Sequence, residues 1–283
     1  MQKTLRKYWA VFTIPTLICF ALAFLIPFVM GFGLSFTNFT TVLDAQFVGF
    51  QNYFKAFSED NDFLYALGRT VVFTIVCVVL INLFGFALAL VLTRKMRGTN
   101  VFRTIFFMPN LIGGIVLGYI WQLIFNGILA NFGQTLTTKG EYGIIGLVIL
   151  MCWQQTGYMM VIYIAGLQNV SPDLIEAAEI DGATSWQTLI RVKIPMVMPS
   201  ITICTFMTLT NSFKLFDQNL ALTNGAPGSD SALIALDIYK TFYNRTGYAG
   251  VGQAKAVVFT IIVAIIAMLQ LRATRQKDRK SVV

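Results

Sequence analysis

Six long apolar runs constrain the fold of this chain more than any other feature of its sequence. They cover residues 8–36, 70–93, 104–125, 144–167, 196–216 and 251–271. Each is close to or above the ~20 residues with which an α-helix crosses ~30 Å of hydrocarbon. A helix also satisfies its own backbone polar groups, as a bilayer requires. We therefore predict an all-α integral membrane protein with six transmembrane helices.

The composition excludes several classes of protein. Hydrophobic residues make up 56% of the chain and charged residues only 12%, which is too few to cover a soluble protein. The chain has no histidine, which excludes histidine bases, Ser-His-Asp triads and histidine metal sites. The four cysteines lie in separate apolar runs, so we expect buried or lipid-facing thiols and neither a disulfide framework nor a metal site.

The distribution of basic residues predicts the topology. With an even number of spans both termini lie on one side, which we take to be the cytoplasm. Fourteen of the 21 lysines and arginines are then cytoplasmic, as the positive-inside rule demands. They are Lys3, Arg6, Lys7, Arg94, Lys95, Arg97, Arg103, Arg191, Lys193, Arg272, Arg275, Lys277, Arg279 and Lys280. The rule also accounts for the net charge of +8 without a nucleic-acid partner.

The polar segment 171–195 interrupts the apolar runs and is predicted to lie in the cytoplasm. Ser171 suits a helix N-cap, and Gly182 suits the left-handed position just past a helix end. Thr184 and Gln187 predict a capping box that opens a second short helix, with an apolar stripe of Trp186, Leu189 and Ile190. Two short helices at a glycine elbow favour a docking surface, with an ordinary solvated loop as the alternative.

A resemblance to a known family favours the docking surface. The segment contains Glu176, Ala177 and Ala178, then Asp181, Gly182 and Ala183, and ends in Val192, Lys193, Ile194 and Pro195. This pattern resembles the EAA loop of permease subunits in binding-protein-dependent ABC importers, although that family often has leucine in place of Ile194. Segments 47–54 and 222–228 resemble the FVG-x-x-NY and LTxGGP stretches of sugar permeases, with Ala226 replacing the second glycine. The resemblance covers nearly the whole chain, so we expect a single transmembrane domain over 1–283.

The resemblance implies the partners of the chain. A permease of this kind works with a second permease subunit, two cytoplasmic ATPases and an extracytoplasmic solute-binding protein in a bacterial or archaeal cytoplasmic membrane. No GxxxxGK[ST] phosphate loop occurs here, so the partner ATPases would bind ATP and magnesium while this chain holds no cofactor. The chain would be non-catalytic. Its loop residues Glu176, Ala177, Ala178, Asp181, Gly182, Ala183, Trp186 and Pro195 would couple to the ATPases, with Trp186 anchoring the second helix.

Neutral polar residues interrupt the fourth and fifth apolar runs. Gln154, Gln155 and Tyr158 lie in one run, and Thr208, Asn211 and Ser212 lie in the other. Such groups suit a sugar path, but Ser, Thr, Asn and Gln also make hydrogen bonds between membrane helices, and the residues alone leave both interpretations open. The resemblance to maltose-type permeases assigns the substrate path to Gln154, Gln155, Tyr158, Thr208, Ser212 and Leu215.

Two charged residues, Lys214 and Asp217, lie near the end of the fifth run. Their spacing allows either a salt bridge or contacts to a substrate. A secondary carrier would place ionisable groups deep within its spans, which the second, third and fourth runs do not do. We therefore predict the permease of a sugar or oligosaccharide importer. Sugar importers of this family pair two related permease subunits, and this chain resembles the first type. A glycerol-phosphate permease is the alternative among ABC importers. A secondary carrier, which needs no ATPase, is the alternative from a different class of transporter.

Overall fold

The computed structural model describes residues 2–59, 61–94 and 97–280, which excludes Lys95 from the predicted cytoplasmic set. Its α-helices are α1 (Gln2–Phe20), α2 (Ile26–Leu34), α3 (Gln51–Phe54), α4 (Asn61–Leu92), α5 (Thr99–Phe107), α6 (Gly114–Ala130), α7 (Gly140–Gln168), α8 (Pro172–Ile180), α9 (Ser185–Thr188), α10 (Ile194–Met196), α11 (Met198–Phe213), α12 (Asp217–Leu222), α13 (Ile234–Asn244) and α14 (Ala249–Lys280). Strands β1 (Thr37–Asn38) and β2 (Gln46–Phe47) form an antiparallel pair. The remaining helical segments are 3₁₀ turns at Val42–Asp44 and Met108–Leu111 and π turns at Ala21–Leu25, Lys55–Glu59 and Leu189–Lys193.

The described helices confirm the all-α membrane class and modify the predicted spans. Four helical stretches are long and apolar enough to cross a bilayer: Thr13–Leu34, Asp62–Leu92, Gly140–Gln168 and Ala249–Gln270. The third predicted run is broken into two helices, and the fifth begins at a sharp bend between two helices. Thr99–Leu111 and Gly114–Ala130 meet at 101°, and Ser185–Met196 and Met198–Phe213 meet at 70°. The described residues thus give four spans, or up to six if each bent pair is one span.

Backbone chemistry explains both breaks. Pro109 lies in the 3₁₀ turn before α6, where a missing N–H and a fixed φ oppose a continuous α-helix. Gly113 then adopts an extended conformation, with φ −61° and ψ 142°. In the second pair, Val197 has φ −90° and ψ 2°, and Pro199 follows it in the first turn of α11. Pro199 cannot donate a hydrogen bond to the carbonyl of Pro195 one turn earlier, which weakens the ladder at this point.

The chain divides into two compact units, so the expectation of one domain over 1–283 stays a prediction. One unit comprises the N-terminal part up to Phe63 together with Ile238–Ile261, and the other comprises Leu64–Asp237 and the chain from Ile262 onward. The second unit has a core in which α7 packs against α4, α5 and α11 around Ile81, Leu147 and Met159. This unit also contains segment 171–195 and the predicted substrate path.

Within the second unit, α12 is a short helix that packs closely on α6. A Cβ atom at Gly114 would lie 2.8 Å from the Cβ of Asp217, and one at Gly118 would lie 2.5 Å from the Cβ of Ala221. The small residues of α6 therefore form a close-packing surface. Its partner, α12, was not expected, because we took the fifth apolar run to continue as a helix to residue 216.

Candidate functional site

The first loop helix, α8, ends in the glycine elbow that the sequence predicts. Gly182 has φ +77°, a left-handed conformation that side chains resist. Its N–H donates to Glu179 O at 3.0 Å, and Ala183 N–H donates to Ala178 O at 2.9 Å, which forms a Schellman motif. At the other end Ser171 occupies the N-cap position, as predicted, but its side chain makes no capping hydrogen bond.

The second loop helix begins at the predicted capping box. Gln187 N–H donates to Thr184 Oγ1 at 3.3 Å, and Thr184 N–H donates to Gln187 Oε1 at 2.8 Å. From Ser185 the chain stays helical through the π turn to Met196, with Pro195 as the second residue of α10. This helix then meets α11 at the 70° bend. The loop is therefore joined directly to α11.

The loop exposes its carboxylates and also several of its large apolar side chains. Glu176, Ala177 and Asp181 are exposed, while Ala178 and Ala183 are half-buried. Trp186 is 68% exposed and Thr188 is the buried residue of α9, so the anchoring of the second helix by Trp186 stays a prediction about the assembled complex. Ile180 is 86% exposed. The described part of the chain leaves this acidic and apolar surface uncovered.

A cavity of about 330 Å³ lies where α7, the end of α11 and the start of α12 meet. It brings together three of the predicted path residues, Gln155, Asn211 and Leu215. The wall also contains five residues outside the predicted set: Met151, Lys214, Phe216, Asp217 and Gln218. The sequence left Lys214 and Asp217 open between a salt bridge and contacts to a substrate. It missed Phe216 and Gln218, because it took the fifth apolar run to continue as a helix to residue 216.

The other four predicted path residues do not line this cavity. Gln154 is buried, donating to Ile112 O at 3.2 Å and accepting from Gln218 Nε2 at 2.8 Å. Thr208 is fully buried, and its hydroxyl oxygen lies 3.5 Å from Asn82 Nδ2. Gln154 and Thr208 thus make the hydrogen bonds between packed segments that the sequence left as an alternative.

Tyr158 and Ser212 also lie away from the cavity wall. The Tyr158 ring stands 6.2 Å from that of Phe107, centroid to centroid, and is half-buried in this aromatic contact. Ser212 is fully buried. Neither side chain contributes to the polar wall.

Gln155 is the cavity residue best suited to bind a ligand. Its carbonyl oxygen Oε1 is buried and has no hydrogen-bond partner among the described residues. A buried amide oxygen without a partner is unfavourable, so a ligand hydroxyl that donates to it is stabilised. Asn211 adds a second neutral amide from α11. The cavity can therefore donate to and accept from a polyhydroxy compound.

A second cavity, of about 570 Å³, has a different character. Apolar side chains of α4, α5 and α7, including Phe84, Leu88 and Ile105, make up nearly all of its wall. Such a wall cannot satisfy the hydroxyls of a sugar, so its larger volume does not make it the better site for one. Within the described residues, no group of three or more His, Cys, Asp or Glu side chains could hold a metal ion.

The other unit contains a buried charge. Lys255 is fully buried near the start of α14. Its ammonium donates to Thr241 Oγ1 at 2.8 Å and lies 5.3 Å from the centre of the Phe63 ring. The position of Lys255 inside the run 251–271 was the signal, since a lysine within an apolar helix needs protein partners.

Comparisons with known proteins agree with this architecture. A family model described as "binding-protein-dependent transport system inner membrane component" matches residues 85–277. The chain is 42% identical over 280 residues to the probable starch degradation products transport system permease protein AmyD of Thermoanaerobacterium thermosulfurigenes, covering 96% of this chain and 94% of that protein. It is 32% identical over 287 residues to the multiple sugar-binding transport system permease protein MsmF of Streptococcus mutans, covering 98% of each.

A solved structure shares the fold. A chain of a bacterial ABC transporter involved in the import of the acidic polysaccharide alginate matches with a TM-score of 0.81 over 97% of this chain and 98% of that chain, at 19% identity. At that identity the match concerns the fold alone. The family match and the two permease relatives carry the assignment. This chain belongs to the family of binding-protein-dependent transport system inner membrane components, as an integral, non-catalytic membrane subunit of an ABC transporter whose ATPase is a separate chain.

Proposed function

We propose that this chain is the permease subunit of an ATP-driven importer for a sugar or oligosaccharide, which an extracytoplasmic solute-binding protein delivers. The observation that carries the proposal is the polar cavity, where the unpartnered Gln155 Oε1 and the Asn211 amide stand beside apolar side chains. The names of the relatives agree, since AmyD and MsmF are described as permeases for starch degradation products and multiple sugars.

The cavity has the mixture of groups that a sugar requires. Amides hydrogen-bond the hydroxyls, while Met151, Leu215 and Phe216 supply apolar surface for the C–H face of the ring. Gln155, Asn211 and Leu215 line the path, and Tyr158, Thr208 and Ser212 support it from the packing around α7 and α11. Gln154 holds the wall through Gln218.

The loop 171–195 is the proposed contact with the ATPases. Its exposed carboxylates and its uncovered Trp186 and Ile180 fit a partner that offers arginine or lysine beside an apolar groove. Two cytoplasmic ATPases would dock on this loop and would themselves bind ATP and magnesium. A second permease subunit would complete the translocation path. Both termini of this chain would lie in the cytoplasm.

Covalent continuity links the two regions. The second loop helix runs to Met196, α11 follows after the bend at Val197, and Asn211 in the last turn of α11 reaches the cavity. A displacement of the loop by the closing ATPases would therefore move α11 and change the cavity wall. This connection supports an ATP-driven switch of the path between inward- and outward-facing states.

Substrate binding by the cognate solute-binding protein tests the proposal. A panel of uncharged mono- and oligosaccharides should contain a ligand that the isolated binding protein holds with micromolar affinity or better. The same compound should then enter proteoliposomes that contain the whole complex. Exclusive binding of glycerol phosphate would favour the alternative permease, and transport driven by an ion gradient without an ATPase would overturn the proposal.

A further inference from the structure

Two side chains of opposite charge, Lys214 and Asp217, line the cavity that holds Gln155. Three residues apart on one helix they would be neighbours able to pair. The α11 helix ends at Phe213 and α12 begins at Asp217, so the backbone between them is not helical. Both residues are exposed, and no ion pair or side-chain hydrogen bond of either is found in the described part of the chain. The cavity therefore presents one open cation and one open anion.

Packing on two sides fixes the backbone at Asp217. The absent side chain of Gly114 lets α6 approach Asp217, since a Cβ there would lie 2.8 Å from the Asp217 Cβ and 2.9 Å from the Gln218 amide. The next residue, Gln218, donates to Gln154 Oε1 at 2.8 Å, which ties the start of α12 to α7. A wall whose backbone is held in this way discriminates between ligands better than a mobile one, because less of it must become ordered when a ligand binds.

The two charges together favour an uncharged ligand. Sugar hydroxyls can donate to the Asp217 carboxylate and accept from the Lys214 ammonium, so a neutral glycan satisfies both. The carboxylate of an acidic sugar is attracted by the Lys214 ammonium, but it also comes close to the Asp217 carboxylate, where like charges repel. Open charges in a membrane-spanning chain are also costly and mark functional positions more often than structural ones.

We propose that Lys214 and Asp217 are specificity-determining residues that make this path select uncharged glycans over acidic ones. The inference rests on the proposed function and deepens it. Asp217 disfavours anionic substrates, while Lys214 balances the charge of Asp217 and donates to hydroxyls. Neither residue belongs to the set of path residues expected from the sequence.

Saccharide binding to the whole complex in nanodiscs, without the solute-binding protein, tests the pair. The probes are maltotriose, which is neutral, and trigalacturonate, which is acidic. Asp217→Asn should raise the affinity for trigalacturonate relative to maltotriose by about tenfold or more, because the cavity becomes net positive. Lys214→Gln should weaken maltotriose binding and shift the same ratio in the opposite direction, because Asp217 is left unbalanced.

Two matched controls separate this effect from a general change of surface charge. Lys139→Gln and Glu141→Gln each remove one exposed charge beside the start of α7, away from the cavity wall, and should leave the ratio unchanged. An unchanged ratio in both cavity variants, or a shift in the same direction in both, would overturn the proposal. Failure of the wild-type complex to bind either saccharide would instead count against the sugar function. Thermal unfolding of each variant complex verifies that the neutral replacements still fold.

Discussion

The cavity and the loop 171–195 differ in how their side chains are held. Around the cavity, Gln154, Gln218 and Gly114 fix one another through hydrogen bonds and close packing within the chain. In the loop the backbone is well defined by caps, yet Glu176 and Trp186 project away from the rest of the chain. The wall of the cavity is held by contacts within this chain, whereas the loop exposes groups that only a partner could cover. The contrast separates a site preorganised for a small ligand from a surface built for another subunit.

The largest expected effect is at Glu176, where the comparison predicts loss of binding without loss of folding. In the complex, its carboxylate would form a desolvated pair with a basic residue of the ATPase, and removing one partner of such a pair costs about 3–5 kcal/mol. Glu176→Ala should therefore insert normally but lose most ATPase copurification and ATP-driven uptake. Glu141→Ala, another exposed carboxylate near a helix start, is the control and should behave as wild type. Full ATPase copurification with Glu176→Ala would mean that this loop is not the coupling element.

A smaller effect is expected at Gly182, where the backbone rather than a side chain carries the function. With φ +77° and no atom within 4 Å of an added Cβ, Gly182→Val meets strain but no clash. The strain costs about 1–3 kcal/mol and misdirects the second loop helix. We expect uptake to fall far more than ATPase copurification. Gly133→Val offers a matched control, since Gly133 has φ +66° and equally open surroundings outside the loop. If the Gly133 variant lowered uptake as much as the Gly182 variant, general strain would be the cause.

The smallest effect separates the adjacent residues Gln154 and Gln155. Gln154→Leu leaves Gln218 Nε2 and Ile112 O without a partner, so the complex should lose about 1–3 kcal/mol of stability. Gln155→Leu removes no hydrogen bond within the described chain, so its thermal unfolding should match wild type while sugar uptake falls about tenfold, or ~1.4 kcal/mol. Stability and uptake are measured for both variants in the same preparation. Normal uptake in Gln155→Leu would show that the cavity is not the sugar path.

Those two glutamines also show how far the sequence could predict the site. Both lie in one polar cluster of an apolar run, and the cluster correctly indicated the region of α7 that faces the cavity. Adjacent residues on a helix point about 100° apart, so one faces the cavity and the other a neighbouring segment. Only the packing of α7 against its neighbours determines which glutamine does which. The apolar run has no strong polar face, so its sequence does not indicate which side of α7 is turned toward the cavity.

The fold was predictable where local chemistry decides it. The capping box at Thr184 and the elbow at Gly182 follow from residue types that have few other uses, and both predictions are confirmed. The end of α11 and the docking of α12 on Gly114 were not predicted, because they depend on contacts between segments about 100 residues apart. Lys214 and Asp217 therefore stayed ambiguous in the sequence. Their separation into two open charges is a consequence of that tertiary break.

ATP-driven sugar uptake by the reconstituted complex tests the central claim most directly. Proteoliposomes would contain this chain with its second permease subunit and the ATPases, with the solute-binding protein and its sugar outside and ATP inside. The account predicts sugar accumulation that requires both ATP and the binding protein. Glu176→Ala should remove most of this accumulation by releasing the ATPases, and Gln155→Leu should reduce it with the assembly intact. Accumulation that continues without ATP, or that stays at the wild-type level in Glu176→Ala, would contradict the account.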